Sequence, residues 1–229
     1  KGDAPQIYVD VGAAHPAYHS VTKHFSDAGW HGLNIEPRTH LWKLLRAERP
    51  ADWNVHCAVS DVAGEMQFFE VTDPTFTGTD AGGLSTLDAR QAAYYREQGL
   101  IVRQRTLKVY PLSQLLAERE IREIGFLKID VEGFEYEVIK SLDWQLWRPR
   151  LVIAEPTAPT TSVVCDGPVQ DCLVEHGYLP VFFDGLNRYF VRQEDERRAD
   201  RLRVPVNVSD GYVTAAEWDL QQQLEQQRI

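Results

Sequence analysis

The sequence predicts an α/β fold in which helices cover both faces of a mostly parallel sheet. Apolar runs of strand length recur along the chain and are separated by helical patterns, an alternation typical of that architecture. The 229 residues, 43% of them apolar, are enough to bury one substantial core. The first run also ends on an acid and a glycine before a small-residue turn, which is the order expected where such a sheet binds a cofactor.

The individual elements follow from these runs in chain order. The predicted strands are Ile7–Val11, Gly32–Ile35, Val55–Val59, Gly125–Ile129, Leu151–Ala154, Leu179–Phe183 and 187–192. The predicted helices are Tyr18–Asp27, Thr39–Glu48, Leu112–Arg119 and Glu135–Leu142. Two further strands, 64–71 and 103–110, interrupt the alternation. The polar, glycine-rich segment 72–88 is predicted as a long loop over the active face, with a mobile insertion as the alternative.

Charge and cysteine usage exclude several classes of function. A formal net charge of -10 and a pI near 5.2 would repel a phosphate backbone, so nucleic acid is not an expected partner. The three cysteines, Cys57, Cys165 and Cys172, include no CxxC pair, so neither a disulfide framework nor a structural zinc site is expected. This usage favours a cytoplasmic setting. No apolar run approaches the ~20 residues of a membrane span.

The turn after the first strand, "VDVGAAHP", distinguishes between cofactors. A dinucleotide fold needs G-x-G-x-x-G, whose backbone amides approach a pyrophosphate, but this turn has one glycine, and Pro16 lacks an amide hydrogen. S-adenosylmethionine has no phosphate, so Gly12 and Ala13 suffice for a close backbone approach, and Asp10 can meet its ammonium group. His15 is predicted on the cofactor side, and His19 on the surface or in the helix. An NAD-dependent oxidoreductase remains an enzymatic alternative.

Acidic and polar residues follow the next strands. Glu36 ends "GLNIEP", where a carboxylate can accept hydrogen bonds from both ribose hydroxyls, in NAD-binding folds as well. Ser60 and Asp61 in "AVSD" are placed to meet the adenine edge, and a turn or helix cap is the alternative for that pair. The order of these motifs favours cofactor binding.

The stretch "FLKIDVEGFEYEVIKSL", residues 126–142, is the most distinctive. Alternation along the strand puts Lys128 and Asp130 on one side, where they can form an ion pair. Asp130 and Glu132 emerge at its carboxyl end, where the methyl donor is expected. Glu135 and Glu137 are predicted as acids on the surface of the following helix. The aromatic residues Tyr94, Tyr95, Trp144 and Trp147 are predicted to pack in the core rather than to stack on sugar.

The order of motifs resembles the FkbM family of S-adenosylmethionine-dependent methyltransferases over about residues 6–192. The resemblance lies in "VDVGAAHP", "GLNIEP", "AVSD", "GGLSTLD", "LKIDVEGFEYEVI", "LVIAEP" and "FFDGLNRYFV". It implies a class I methyltransferase fold, a Rossmann-like three-layer sandwich whose seven-stranded, mostly parallel sheet has an antiparallel last strand. It also implies methyl transfer to a hydroxyl oxygen. By position, Asp10, Gly12, Glu36, Ser60 and Asp61 would hold the cofactor, and Asp130, Glu132 and Glu155 would line the reaction centre.

Candidates for proton transfer and acceptor binding complete the predicted site. The base is expected among Glu155, Asp130 and Glu132, with His15 and His19 as weaker candidates. Ser85 in the glycine-rich loop, with Asp184 and Asn187 near the last strand, could bind the acceptor; for Asp184 and Asn187 an Asx-stabilised turn is an equal alternative. The acids could hold Mg²⁺, but we expect no resident metal, because carboxylates at strand ends are common without one.

The resemblance also extends to the acceptor and to the wider protein. It favours a sugar hydroxyl in a bacterial glycan or a glycosylated metabolite, and an associated or fused glycosyltransferase module. We assign residues 1–193 to the methyltransferase domain and 194–229 to a C-terminal extension or linker helix, which could join another module or mediate homo-oligomerisation. The alternative from a different class is a non-catalytic docking module that retains the methyltransferase fold, because fold alone does not fix function.

Overall fold

The computed structural model describes residues 6–72, 83–155, 167–205 and 208–214, together with positions 217, 220, 221, 223 and 224. The strands, in chain order, are β1 (Ile7–Val11), β2 (His31–Ile35), β3 (Trp53–Val55), β4 (Ala58–Val59), β5 (Gly64–Thr72), β6 (Ile101–Tyr110), β7 (Phe126–Ile129), β8 (Leu151–Ala154), β9 (Tyr178–Phe183) and β10 (Arg188–Arg192). The α-helices are α1 (Lys23–Asp27), α2 (Thr39–Glu48), α3 (Ala89–Glu97), α4 (Leu112–Ala117), α5 (Glu135–Lys140) and α6 (Gly167–Glu175). Each helix in this described part of the chain is too short or too polar to cross a lipid bilayer.

Seven strands form the central sheet, in the order β3-β2-β1-β7-β8-β10-β9. The strand pairs from β3 to β8 are parallel, whereas β10 runs antiparallel to both β8 and β9. The sheet therefore confirms the predicted seven-stranded, mostly parallel topology with an antiparallel last strand. Because the strand order reverses at β1, the chain leaves β1 and β7 in opposite directions and opens a crevice at their carboxyl ends.

The register of β1 and β7 positions the motifs that follow them. Val11 is paired with Ile129 and Asp10 with Lys128, so Gly12 and Asp130 leave the sheet side by side. The described residues of β7 are buried throughout, and those of β1 and β8 are buried except at their first residue. A strand that is covered on both faces needs mostly apolar residues, which explains why these three strands could be predicted from the sequence.

Aromatic side chains fill both layers around the sheet. Phe25 of α1 packs against Phe126 of β7, with 4.6 Å between their ring centroids. On α5 and the segment after it, the indole N–H of Trp144 donates to the carbonyl of Ile139, and the indole of Trp147 donates to that of Ile121. Trp144, Trp147 and Tyr95 are buried, which confirms core packing for them, whereas Tyr94 is 37% exposed.

The helix predicted over Tyr18–Asp27 was wrong in its first half, because α1 begins only at Lys23. The His15 imidazole accepts hydrogen bonds from the backbone N–H groups of Ala17 and Tyr18, which closes a turn instead of a helix. His19 then adopts a φ of 54°, a left-handed conformation that an α-helix excludes. Helices α4 and α5 each end two residues earlier than predicted, and α2 matches the prediction.

The predicted strand Val55–Val59 is divided between two sheets. β3 ends at Val55 in the central sheet, whereas β4 pairs with β6 in a separate three-stranded sheet of order β4-β6-β5. β5 and β6 pair antiparallel over nine residues each, which confirms the two additional strands. Residues 55–59 look like one strand in the sequence. Nothing in that pattern indicates that the chain passes from the central sheet to the second sheet at His56.

The described part of the connection from β5 to β6, residues 83–100, pairs with β5 and leads into α3. Thr86 pairs with Phe69 through two backbone hydrogen bonds, and the Asp88 carboxylate caps α3 by accepting from the N–H groups of Arg90 and Gln91. Residues 83–88 belong to the predicted loop over the active face, and 73–82 lie outside the described residues. After β10, a 3₁₀ helix spans Gln193–Arg201 and buries Ala199. The domain boundary at 193 stays a prediction.

Candidate active site

A cavity of about 400 Å³ opens at the carboxyl ends of β1, β2 and β7. It is lined by nine of the residues singled out from the sequence: Gly12, His19, Glu36, Ser85, Lys128, Asp130, Glu132, Glu155 and Asn187. The described part of the loop after β5 forms one wall, and the turn before β10 contributes to the rim. The structure therefore brings motifs from six separate segments of the chain to one cavity.

Gly12 forms the floor of this cavity and has to be glycine. Its φ is +80°, and a Cβ atom added to it would lie 1.9 Å from the carbonyl oxygen of Asp130. The N–H groups of Gly12 and Ala13 both donate to the carbonyl of Ile35, at 3.0 and 3.2 Å. The turn is thus fixed against both neighbouring strands, with its backbone exposed to the cavity.

Lys128 connects this turn to the acids on either side of it. Its ammonium group donates to the carbonyl of Gly12 at 2.9 Å and lies 3.3 Å from Asp10 and 3.2 Å from Asp130. Burial opposes the charge of the Lys128 ammonium, but the two carboxylates outweigh it and raise its pKa above the ordinary value. The predicted pair of Lys128 and Asp130 is confirmed, and Lys128 also contacts the Gly12 turn, a contact that the sequence analysis missed.

Asp10 lies beneath the turn rather than on the cavity wall. It is 1% exposed, and it accepts a hydrogen bond of 2.7 Å from the Thr22 hydroxyl. Arg49 in turn donates to that hydroxyl at 2.8 Å, and its guanidinium also contacts the carbonyl of Pro16. Asp10 thereby holds the start of α1 and the Gly12 turn together. Direct contact between Asp10 and a cofactor stays a prediction, as it does for Ala13 and His15, which are both buried.

Glu36 joins the first two cofactor motifs. Its carboxylate accepts hydrogen bonds from the N–H of Ala14 at 2.8 Å and from the N–H of Arg38 at 2.7 Å, and it forms a buried ion pair with the Arg38 guanidinium at 3.0 Å. Glu36 lines the cavity at the carboxyl end of β2. This is the position from which a carboxylate can accept hydrogen bonds from ribose hydroxyls.

The third cofactor motif reaches the cavity through different residues than predicted. Ala58 and Val59 line it and form an apolar wall together with Phe68. Ser60, which follows them, is buried and donates to Asp61 at 3.3 Å. Asp61 pairs with Lys140 at 3.0 Å, and that hydrogen bond lowers the pKa of the Asp61 carboxyl. The structure does not bring Ser60 or Asp61 to the cavity wall, and their contact with adenine stays a prediction.

Three carboxylates meet at the end of the cavity formed by β7 and β8. Asp130, Glu132 and Glu155 each offer an oxygen atom, and these oxygens lie within 4.8 Å of one another. Burial, together with the charges of Asp130 and Glu155, raises the pKa of Glu132 to about 9. Like charges at this separation resist simultaneous ionisation, so the cluster retains a proton at neutral pH. Its donor set also fits a divalent cation such as Mg²⁺, which prefers carboxylate oxygens.

Glu132 is held in place by the segment inserted between β5 and β7. The Tyr95 hydroxyl, on α3, donates to its carboxylate at 3.0 Å, and the Thr86 hydroxyl donates to its backbone carbonyl at 2.8 Å. Glu132 has a φ of 58°, a conformation that costs a residue with a side chain about 1 kcal/mol or more. Tyr95 and Thr86 are functional neighbours that the sequence analysis missed, because only the tertiary fold brings α3 to this strand end.

Glu135 is buried, so its prediction as a surface acid was wrong. Its carboxylate accepts hydrogen bonds from the N–H groups of Val131 and Gly133, at 3.1 to 3.2 Å, and so caps the turn from β7 into α5. Burial raises the pKa of Glu135 to about 7, although these N–H groups oppose the shift. The capping position two residues after Gly133 was the available sequence signal.

The predicted acceptor residues have local structural partners. The Ser85 hydroxyl accepts from the N–H of Val71 at 3.1 Å, and Ser85 still lines the cavity. Asp184 accepts from the N–H groups of Leu186 and Asn187, which confirms the Asx-stabilised turn. Burial would raise the pKa of Asp184, but these hydrogen bonds and one from Tyr189 lower it. Asn187 lines the cavity and Asp184 does not, so Asn187 is the better placed of the two.

Comparison with known proteins identifies a family for this chain. The family profile described as the methyltransferase FkbM domain matches residues 10–199. A solved structure, that of methyltransferase FkbM from Methylobacillus flagellatus KT, is similar at 12% sequence identity and a TM-score of 0.46. The match covers 80% of this chain and 42% of that protein. A search of curated proteins gave no significant match. Because the profile matches residues 10–199, most of its length, the chain belongs to the FkbM methyltransferase family.

Proposed function

We propose that this protein is an S-adenosylmethionine-dependent O-methyltransferase that acts on a hydroxyl group of a sugar. The observation that carries the proposal is the single cavity in which the Gly12 turn, Glu36 and the carboxylates at the ends of β7 and β8 meet. The Gly12 turn and Glu36 suit a nucleoside cofactor with an amino-acid end, and the carboxylates suit proton removal from an acceptor. The acceptor is proposed in a bacterial glycan or a glycosylated metabolite, on the basis of the family resemblance.

The cavity favours S-adenosylmethionine over a dinucleotide. With Glu132 protonated, the remaining acids, Glu36, Asp130 and Glu155, suit a ligand that carries ammonium and sulfonium charges better than a pyrophosphate. The apolar wall of Ala58, Val59 and Phe68 can cover an adenine ring. When bound, the cofactor supplies a methyl group on a sulfonium, which makes that carbon open to attack by an oxygen nucleophile. The NAD-dependent alternative would need amide donors that the Gly12 turn and Pro16 do not offer.

The chain's own contribution to the chemistry is orientation and proton transfer. In the proposed displacement, the acceptor oxygen would bond to the methyl carbon as the carbon–sulfur bond breaks, and a carboxylate of the chain would take the hydroxyl proton. Orientation of this kind can contribute on the order of 7 to 11 kcal/mol. A base in reach adds about 10²- to 10⁴-fold. We assign Glu155, which lines the cavity at the carboxyl end of β8, as the base, since Glu132 already retains a proton.

The acidic end of the cavity also supports the acceptor class. A carboxylate or phosphate on the acceptor would meet the negative charges of Asp130 and Glu155 there, whereas a neutral sugar hydroxyl would not be repelled. Ser85 and Asn187 at the rim offer polar groups for further hydroxyls. The cysteine usage supports a cytoplasmic enzyme, and an associated glycosyltransferase module would supply such acceptors.

The proposal is tested by a thermal-shift titration with S-adenosylhomocysteine, with NAD and NADP as matched controls. A ligand present at about 100 times its dissociation constant adds ~2.7 kcal/mol, which for a chain of this length raises the melting temperature by about 5 to 10 °C. A shift with S-adenosylhomocysteine alone supports the cofactor assignment and directs the acceptor search to sugars. A shift with NAD alone would overturn it, and no shift with any of the three would favour a non-catalytic docking module.

A further inference from the structure

Left-handed backbone conformations are concentrated at the cavity. Among the described residues, four that are not glycine have positive φ: Ala14, His19, Glu120 and Glu132, with values from 53° to 58°. Ala14, His19 and Glu132 all line the same cavity. Residues with side chains adopt this conformation at a cost, and such conformations persist where the surrounding structure or a ligand requires them.

Contacts within the protein account for two of these three positions. The N–H of Ala14 donates to Glu36 at 2.8 Å, and Glu132 is held by Tyr95 at 3.0 Å. For the imidazole of His19, the described residues provide no hydrogen-bond partner. His19 is exposed at the cavity rim, on the segment between the Gly12 turn and α1. His19 therefore lines the cavity in a left-handed conformation that no hydrogen bond of its imidazole within the described residues explains.

The cavity has an excess of acids and few donors. Glu36, Asp130, Glu132 and Glu155 line it, and its two permanent cations are already paired, Arg38 with Glu36 and Lys128 with Asp10 and Asp130. The amino-acid end of S-adenosylmethionine carries both an ammonium and a carboxylate group. The acids suit the ammonium, but the carboxylate needs a side-chain or backbone donor.

The placement of His19 matches that need. Glu36 and the apolar wall mark the nucleoside half of the cavity, at the ends of β2 and β4. The amino-acid end is then expected near the Gly12 turn, where His19 and Val21 form the rim. We propose that the His19 imidazole donates a hydrogen bond to the carboxylate of the cofactor's amino-acid end. This inference rests on the proposed use of S-adenosylmethionine and adds a recognition residue to it.

Two substitutions separate the imidazole from the backbone conformation. His19→Gly removes the donor and tolerates positive φ without strain, so the loop keeps its shape. His19→Asn also tolerates positive φ and retains an N–H donor. His24→Asn is the matched control, because His24 is an exposed histidine of α1 whose side chain is not part of the cavity wall.

The test is calorimetric binding of two ligands to the whole chain: S-adenosylhomocysteine, and 5′-methylthioadenosine, which lacks the amino-acid end. A hydrogen bond to a charged group predicts that His19→Gly weakens S-adenosylhomocysteine binding by about tenfold to a hundredfold. Binding of 5′-methylthioadenosine should change by less than about twofold, His19→Asn should recover most of the loss, and His24→Asn should resemble the wild type.

Equal loss of both ligands in His19→Gly, or no loss of either, would overturn the role of His19 while leaving the cofactor assignment intact. Failure of the wild type itself to bind S-adenosylhomocysteine would overturn the proposed function, and the role of His19 with it. The wild-type titration therefore separates the two failures.

Discussion

Replacement of Glu132 by glutamine should change how stability depends on pH. Glutamine has nearly the same shape, and its carbonyl oxygen can still accept the hydrogen bond from Tyr95, but it does not titrate. The pKa of Glu132 is raised to about 9 in the folded chain, by burial first and by Asp130 and Glu155 next. In the unfolded chain the carboxyl returns to its ordinary value of about 4.3. The folded state therefore retains a proton that the unfolded state loses.

The direction and the size of the effect on the unfolding free energy follow from this difference between the folded and unfolded pKa values. Between the two pKa values, each rise of one pH unit favours the unfolded wild type by about 1.4 kcal/mol, because only the unfolded state releases the proton. The wild type should thus lose up to about 3 kcal/mol relative to Glu132→Gln between pH 4.5 and pH 7, with the coupled carboxylates and partial exposure reducing this figure. The wild type continues to lose stability relative to Glu132→Gln up to about pH 9, and above that pH the difference stays constant.

Urea unfolding at pH 5, 6, 7 and 8 measures the effect as the difference in unfolding free energy between variant and wild type. That difference should rise with pH in favour of Glu132→Gln. Glu135, whose pKa is also raised, is present in both proteins and cancels in the comparison. Glu97→Gln, an exposed acid of α3, is the control and should show a flat difference. A flat profile for Glu132→Gln would show that the carboxylate cluster does not hold the proton.

Three further substitutions and one treatment test the rest of the site. Asp10→Ala should abolish S-adenosylhomocysteine binding in calorimetry, because Thr22 and Lys128 lose their shared partner beneath the turn; wild-type affinity would contradict that role. Gly12→Ala should do the same, since its Cβ would lie 1.9 Å from a backbone oxygen. Glu155→Gln should keep cofactor affinity and slow labelled-methyl transfer to sugar acceptors by about 10²- to 10⁴-fold. An unchanged transfer rate would show that another group is the base. Removal of divalent cations with EDTA should leave turnover unchanged, and rescue by added Mg²⁺ would instead assign the carboxylates to a metal.

The elements that the sequence predicted well are those whose burial is decided locally. β1, β7 and β8 are covered on both faces, so their residues are apolar apart from Asp10 in β1 and Lys128 in β7. Helix α2 has a clear amphipathic pattern that ends before Pro50. The cavity was predictable because the carboxyl ends of parallel strands converge at one edge of the sheet. Motif order alone was enough to place Gly12, Glu36 and Asp130 there.

What the sequence missed depends on contacts between distant segments. α1 starts late because the His15 side chain accepts two backbone N–H groups, a capping interaction that a helical pattern does not reveal. Glu135 reads as a surface acid by its charge, yet it is buried because two backbone N–H groups at the β7–α5 turn need an acceptor. Tyr95 and Glu132 are 37 residues apart, and no local signal joins them.

These contacts also indicate how the two halves of the cavity are coupled. Lys128 links the cofactor turn to Asp130, and Tyr95 and Thr86 link the inserted segment to Glu132, so both links end on neighbouring residues of one strand end. A displacement of that strand end changes the Gly12 carbonyl contact and the carboxylate cluster together. Because the protein would have to bring an acceptor hydroxyl in line with a methyl group, a shared support for both halves keeps their relative position within the narrow limits that displacement requires.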